Sequence, residues 1–355
     1  MYWSSQYLYT PILSPYLEYN GASYMIIGVI LGSYGVTQLF LRLPLGIFSD
    51  YMKLRKPFII FGMLASLLSC LGLALTDNLG WALVSRILAG VSASSWVAFT
   101  VLYSSYFISQ DVAKAMSTIQ FITVMAQLMG MGVSGYLVSK WGWHTPFWIG
   151  VIVAFIGFLL SFLIREINQK TSRIPIKSKD LIMVMKEPTL LKVSLLSIIG
   201  HSTLFITMYG FTPLQALKIG ASEEDISLLV FSFMIPHVVA TLMAGRFFAI
   251  RFGQWATLAM GFFGSSVFTF LIPFTHTMLE LCMTQIVNGF AQGICFPLLL
   301  GMTVQDIKNE KRATAMGFYQ AVYSLGIFLG PFFAGYLTTI TSCQMALSSP
   351  PYLVY

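Results

Sequence analysis

Arg86 stands in the middle of an apolar run, in the stretch Arg86-Ile-Leu-Ala-Gly90 of a 355-residue chain. A charge in such a place is costly and marks a functional position, unless the side chain snorkels to an interface. Other polar side chains in apolar runs are Tyr34, Gln38, Arg42, Gln120, His201, Tyr209, His237, Glu280, Asn288 and Gln320. Their chemistry is binding and relaying rather than bond-making. Tyr34, Gln38, Gln120, His201, Tyr209, His237, Asn288 and Gln320 are candidates to line a solute cavity. A lone imidazole in a helix is also commonly a packed core group, so His201 and His237 carry both readings. Arg42, two turns before Asp50, reads as a structural pairing, and Glu280 as a helix-end residue. No carboxylate lies at mid-run, which weakens any specific proton-relay assignment. Gly130-Met-Gly-Val-Ser-Gly135 spells both a dinucleotide fingerprint and an intramembrane nucleophile motif. The first needs a preceding strand and the second a nearby His base, and neither is at hand. Cys70, Cys282, Cys295 and Cys343 have no paired spacing, so no disulfide framework, metal or cofactor is expected.

The elements that carry these residues follow from composition. The chain is 57% hydrophobic and 9% charged, against about 25% charged for soluble domains, so its solvent is lipid. Runs near the roughly 20 residues that span a bilayer cover 24–48, 57–76, 80–107, 114–139, 145–164, 190–211, 225–249, 255–275, 278–304 and 313–340. Residues 1–17 read as a shortened first span, which makes eleven. Long continuous runs are helices rather than the alternating strands of a barrel. With the 49–56 loop placed in the cytoplasm, 16 of the 20 Lys and Arg fall on that side and 2 outside, the others being Arg42 and Arg86. That asymmetry follows the positive-inside rule. It also accounts for the net charge of +7 without a nucleic-acid partner. Trp81, Trp141, Trp143 and Trp148 fall at outer ends, where an aromatic belt belongs. There is no positive leader segment at the start.

The chain repeats. Gly21-Ala-Ser23 returns as Gly220-Ala-Ser222, Gly46 as Gly245, and Ile87 and Gly90 as Ile286 and Gly289, all 199 residues later. Ala115-Met116, Gln120, Gly130 and Gly135-Tyr-Leu137 return 200 later as Ala315-Met316, Gln320, Gly330 and Gly335-Tyr-Leu337. Thr10-Pro11 matches Thr212-Pro213 at 202. An even number of spans per copy makes the copies parallel, about an axis along the membrane normal. The expected organisation is a first six-helix bundle over 1–164, a cytoplasmic linker over 165–189, and a second bundle of five helices over 190–355. A twelfth helix and the start of the first are expected to be missing.

Gly46-Ile-Phe-Ser-Asp50-Tyr-Met-Lys53-Leu-Arg55-Lys56, between the second and third spans, resembles the G-x-x-x-D-R-x-G-R-[RK]-[RK] loop of the major facilitator superfamily. Gly46, Asp50, Arg55 and Lys56 fit the pattern; Tyr51, Lys53 and Leu54 depart from it. Arg86 and Gly90 resemble the superfamily's R-x-x-x-G element, and Gly330-Pro331 its Gly-Pro bend. The resemblance implies an all-α integral membrane protein with a two-bundle fold and a parallel pseudo-twofold repeat, about eleven of twelve helices being present. It implies that Asp50 latches against the start of the eleventh helix, with Gly46, Arg55 and Lys56 forming the gate, and that Arg86 and Gly90 take part in proton coupling, as in the drug–proton antiporter branch. Ala249 and Gln285 replace Asp50 and Arg86 in the second copy.

The resemblance implies a monomeric secondary transporter of a small organic solute in the plasma membrane, with its N-terminus in the cytoplasm. Coupling to protons and export are favoured; uptake of a nutrient or organic anion is the alternative within that class. A membrane enzyme would need a catalytic cluster, and a shortened, non-transporting product is the third reading. No ATP-binding P-loop motif occurs, so a gradient is the energy source unless another subunit supplies it.

Overall fold

Backbone amides in hydrocarbon find no water, so apolar runs must close their hydrogen bonds within themselves. The computed structural model of the chain describes residues 1–52, 54–107, 112–166, 184–307 and 312–348 and is helical throughout them. The first helix, α1, is broken into Tyr2–Tyr7 and Leu13–Tyr19. Then come α2 (Tyr24–Met52), α3 (Lys56–Leu75), α4 (Leu79–Ser105), α5 (Val112–Trp141) and α6 (Thr145–Ser161). The second half holds α7 (Pro188–Lys218), α8 (Asp225–Phe252), α9 (Gln254–Phe274), α10 (Met278–Gln305) and α11 (Arg312–Ser348). Nine of these, among the described residues, are long and apolar enough to cross a membrane, and α6 is a shorter apolar helix.

Some helix starts are closed by side chains. Asn78 accepts from the amides of Gly80 at 2.8 Å and Trp81 at 3.2 Å. Thr277 and Glu280 form a capping box at the start of α10. Glu280 therefore satisfies orphan amides at a helix end. Several boundaries differ from the sequence expectation, among them the end of α7, which runs to Lys218 rather than 211. Helix α2 runs through Met52, so Asp50 lies on helical backbone rather than in a loop. Helix α11 continues to Ser348, past the expected end at 340.

The repeat is visible in backbone detail. Gly21 and Gly220 both turn the chain at positive φ, 80° and 87°, a conformation open to glycine without steric cost. After each, the amide of Ala22 or Ala221 bonds back to the carbonyl of Leu17 or Ala216. The break in α1 between Tyr7 and Leu13 matches a π-helical segment in α7, Thr207–Phe211, at an offset of 199. The register there is thus 199 and not the 202 suggested by the Thr-Pro pairs. The short proline-centred match was outvoted by the turns, which are fixed by hydrogen bonds.

The halves meet along two seams that are copies of one another. A Cβ on Gly135 of α5 would meet the carbonyl oxygen of Glu223 at 2.2 Å, with Ser227 beside it. A Cβ on Gly335 of α11 would meet that of Tyr24 at 2.3 Å, with Gly28 beside it. Glu223 and Ser227 are Tyr24 and Gly28 moved on by 199. Small residues let helix backbones approach closely where lipid supplies no hydrophobic drive.

The cores reveal an asymmetry along the bundle axis. At the end bearing the Gly21 and Gly220 turns, one cluster holds Tyr16, Ile27 and Leu31 together with Leu214 and Ile226. Midway, Tyr34, Ala89 and Met131 pack with Phe205, Tyr209, Phe233 and Ile327. At the linker end the clusters separate. Ile59, Ala98 and Leu102 belong to the first half, and Leu190, Leu298, Met302 and Tyr319 to the second.

Candidate functional site

Beneath the shared core lies a small cavity lined by Gln6, Tyr7 and Thr10 of α1, Tyr34 of α2, Arg86 of α4, and Phe205 and Tyr209 of α7. Both halves contribute to it. Its volume, about 10 Å³, is room for one water. Arg86 is 2% exposed, and its guanidinium carbon lies 4.2 Å from the centroid of the Tyr34 ring. Its Nε has no hydrogen-bond partner. Gly90, one turn further along α4, brings α2 in: a Cβ there would meet the Tyr34 carbonyl oxygen at 2.7 Å. On the opposite wall, Phe205 stacks on Tyr34 with ring centroids 5.9 Å apart, and Tyr7 meets Tyr209 at 5.7 Å. Ser14 of α1 donates a short hydrogen bond to the Gly210 carbonyl, tying the two broken helices together.

A second cluster lies toward the linker end. Arg42, 6% exposed, donates to Gln320 Oε1 at 3.0 Å, and also to the Tyr323 hydroxyl and to Gln38 Oε1. The Tyr323 ring lies flat on His201, with centroids 3.9 Å apart and planes at 1°. His201 is anchored at Ser197, whose hydroxyl is 3.1 Å from its Nδ1. Gln38, His201 and Gln320 therefore come together around Arg42, while Tyr34 and Tyr209 join Arg86. Tyr34 interacts electrostatically with both arginines. The pairing expected of Arg42 exists, but its partners are neutral and on α11 as well as its own helix.

His237 and Asn288 lie elsewhere, inside the second half. His237 stacks on Phe233, and Asn288 Oδ1 accepts from Ser265 at 3.0 Å and Thr269 at 3.3 Å on α9. Gln285, the counterpart of Arg86, is fully buried and bonds Thr284. Gly46 packs toward Val97 of α4. Arg55 donates from its side chain to Ser49, and the backbone amides of Arg55 and Lys56 both donate to Glu166, the latter at 2.9 Å. Lys56 Nζ also reaches the Phe162 carbonyl at 2.7 Å. Those bonds clamp the start of α3 to the end of α6 within one half. Lys53, the side chains of Asp50, Gln120 and Cys343, and residues 167–183 of the linker lie outside the described residues.

Sequence reasoning passed over Gln6, Thr10, Phe205 and Tyr323. A signal existed for the first two, which stand four apart on one helical face, and for Tyr323, one turn from Gln320. Phe205 carries no polar mark. The enzyme-like glycines resolve as packing groups, since Gly132 faces Phe231 of α8 and Gly135 lies in the seam. Cys70, Cys282 and Cys295 are free and buried.

The family model of the Major Facilitator Superfamily matches residues 1–217 and again 199–350. The chain belongs to the Major Facilitator Superfamily. Superfamily membership makes it a multi-span membrane transporter and not an enzyme. Among relatives, the inner membrane transport protein YajR of Escherichia coli is 24% identical, over 93% of this chain and 73% of that protein. The quinolone resistance protein NorA of Staphylococcus aureus is 23% identical, over 93% of this chain and 85% of that one. The solved nucleoside transporter NupG shares the superfamily fold with a TM-score of 0.74 at 15% identity, covering 96% of this chain and 88% of its own.

Proposed function

We propose that the chain is a secondary active transporter that moves a small organic solute by alternating access, its halves rocking about the cavity at Arg86. The observation that carries this reading is a polar cavity lined by both halves, beneath paired seams that close one end while the cores at the other end stand apart. In this reading the linker end faces the cytoplasm, as the lysine and arginine asymmetry supports, and the N-terminus lies on the same side in the plasma membrane. Gly46, Asp50, Arg55 and Lys56 form the gate at that end. Arg86 is the coupling residue, and Gly90 lets Tyr34 lie across it. A proton gradient supplies the energy, and export is favoured by the likeness to a quinolone resistance protein. The chain works as a monomer in lipid. Uptake of a nutrient or organic anion is the second reading, and a cavity whose charge is positive suits an anionic solute.

Disulfide locking tests the rocking. The Met25 amide bonds Thr339 Oγ1 at 3.1 Å across the α2–α11 seam. Oxidising the double variant Met25→Cys/Thr339→Cys should arrest tracer flux in proteoliposomes, and a reductant should restore it. Undiminished flux in the fully cross-linked protein would refute alternating access through this seam.

A further inference from the structure

Thirteen carboxylates occur in the chain, and among the described residues none of them lines the Arg86 cavity. Arg86 makes no ion pair, its Nε is unpartnered, and it is nearly fully buried. Its guanidinium carbon lies over the Tyr34 ring face, 4.2 Å from the centroid. Arg42, the other buried cation near Tyr34, is held by three neutral groups, Gln38, Gln320 and Tyr323. The centre of the protein thus holds two positive charges and no compensating negative one among the described residues. A buried cation left unpaired is costly, and an anion delivered into the same space removes that cost. Arginine's planar fork matches a carboxylate in two parallel bonds. Besides the neutral Gln6 and Thr10, the remaining lining is aromatic, with Tyr7, Tyr34, Phe205 and Tyr209 offering ring faces and edges to a flat apolar body.

We propose that this cavity takes a small organic anion, its carboxylate bound by Arg86 and its apolar part packed among those four rings. The inference rests on the transporter reading for calling that anion a substrate; the binding itself does not. The space is tight in the present arrangement. Because Phe205 and Tyr209 come from the other half, it widens when the halves move. A cationic solute would meet repulsion from both arginines.

The test uses the purified full chain in lipid nanodiscs, with thermal unfolding as the readout. Sodium benzoate is compared with benzamide, benzylammonium chloride and sodium chloride at equal ionic strength. Benzoate should raise the melting temperature saturably, and the other three should not. Arg86→Gln, which places there the residue found at Gln285 in the second half, should weaken the benzoate response by at least about tenfold. Arg86→Lys should retain part of it, and serves as the readout if the glutamine variant does not fold. An absent benzoate response overturns the proposal. So does an equal response to benzamide, benzylammonium or chloride, or a benzoate response untouched in a folded Arg86→Gln or Arg86→Lys protein. Tracer flux of benzoate separates the two claims, because binding without flux refutes the anion as a substrate and leaves the anion site standing, while the cross-link at positions 25 and 339 tests the transporter reading itself.

Discussion

The two ends of the bundle use the same helices differently. At the end bearing the Gly21 and Gly220 turns, Ile27 and Leu31 share one core with Leu214 and Ile226. At the linker end each half keeps its own core, Ile59 with Leu102 on one side and Leu298 with Met302 on the other. Some polar bonds follow the same division, since Glu166 gathers the Arg55 and Lys56 amides within the first half and Thr189 bonds Asp306 at 3.0 Å within the second, while Arg42 still bridges the halves to Gln320 and Tyr323. The lesson is that closure is made by backbone approach at glycine and opening by self-sufficiency. An end whose halves satisfy most of their own polar groups can part at little cost, the Arg42 bonds to Gln320 and Tyr323 being the ones that must break.

This comparison can be broken at the seam. Gly335→Val forces a side chain into the space of the Tyr24 carbonyl. Overpacking costs roughly 1–3 kcal/mol or more, so the seam should be held open and flux should fall by tenfold or more, roughly. Measuring flux beside the reactivity of a cysteine at position 25 checks both parts. A fully active Gly335→Val would show that this end need not close.

A smaller loss is expected for Arg42→Ala, which removes three hydrogen bonds, one within α2 and two from α2 to α11. Bonds to a charged group contribute about 1.5–3 kcal/mol each where nothing replaces them. Some of that is recovered here because a buried cation is removed as well. Flux should drop several-fold, and Gln320→Ala on the same background should add little, which a double-mutant comparison would read.

Smaller again is Thr277→Ala, which removes the cap of α10 within the second half. Capping losses are about 1 kcal/mol, and the effect should be on melting temperature rather than on transport. The smallest effect sharpens the contrast. A Cβ at Gly245 would meet nothing within 4 Å, so Gly245→Ala should leave flux unchanged and raise stability slightly, by up to about 1 kcal/mol. A loss of flux there would mean that the linker end of α8 packs tightly in the opposite state.

Much of the architecture was legible in advance. Eleven helical segments, the duplication and the half-to-half offset of 199 follow from hydrophobic length and recurring glycines, because lipid leaves the backbone so little choice. Reading was poorer where a residue's role depends on the partner it meets. Asn288 and His237 resemble cavity residues in sequence yet pack inside the second half, against α9 and Phe233. Glu280, read as a helix-end residue, does sit at a helix start, where it completes a capping box with Thr277. Phe205, an unremarkable aromatic, forms a wall of the cavity.

The sequence by itself determined that lipid surrounds the chain, where each span lies, and that one half carries Arg86 where the other carries Gln285. These are properties of single residues and of spacing along one helix. Only the tertiary structure decided that Arg42 joins Gln38, Gln320 and Tyr323 while Arg86 stays unpaired against Tyr34. The physical reason is that the rotation of each helix about its axis is set by close packing at the seams. At Gly135 and Gly335 an added Cβ would lie 2.2 and 2.3 Å from a carbonyl oxygen of the other half, and backbone approach that close fixes which faces of the helices meet.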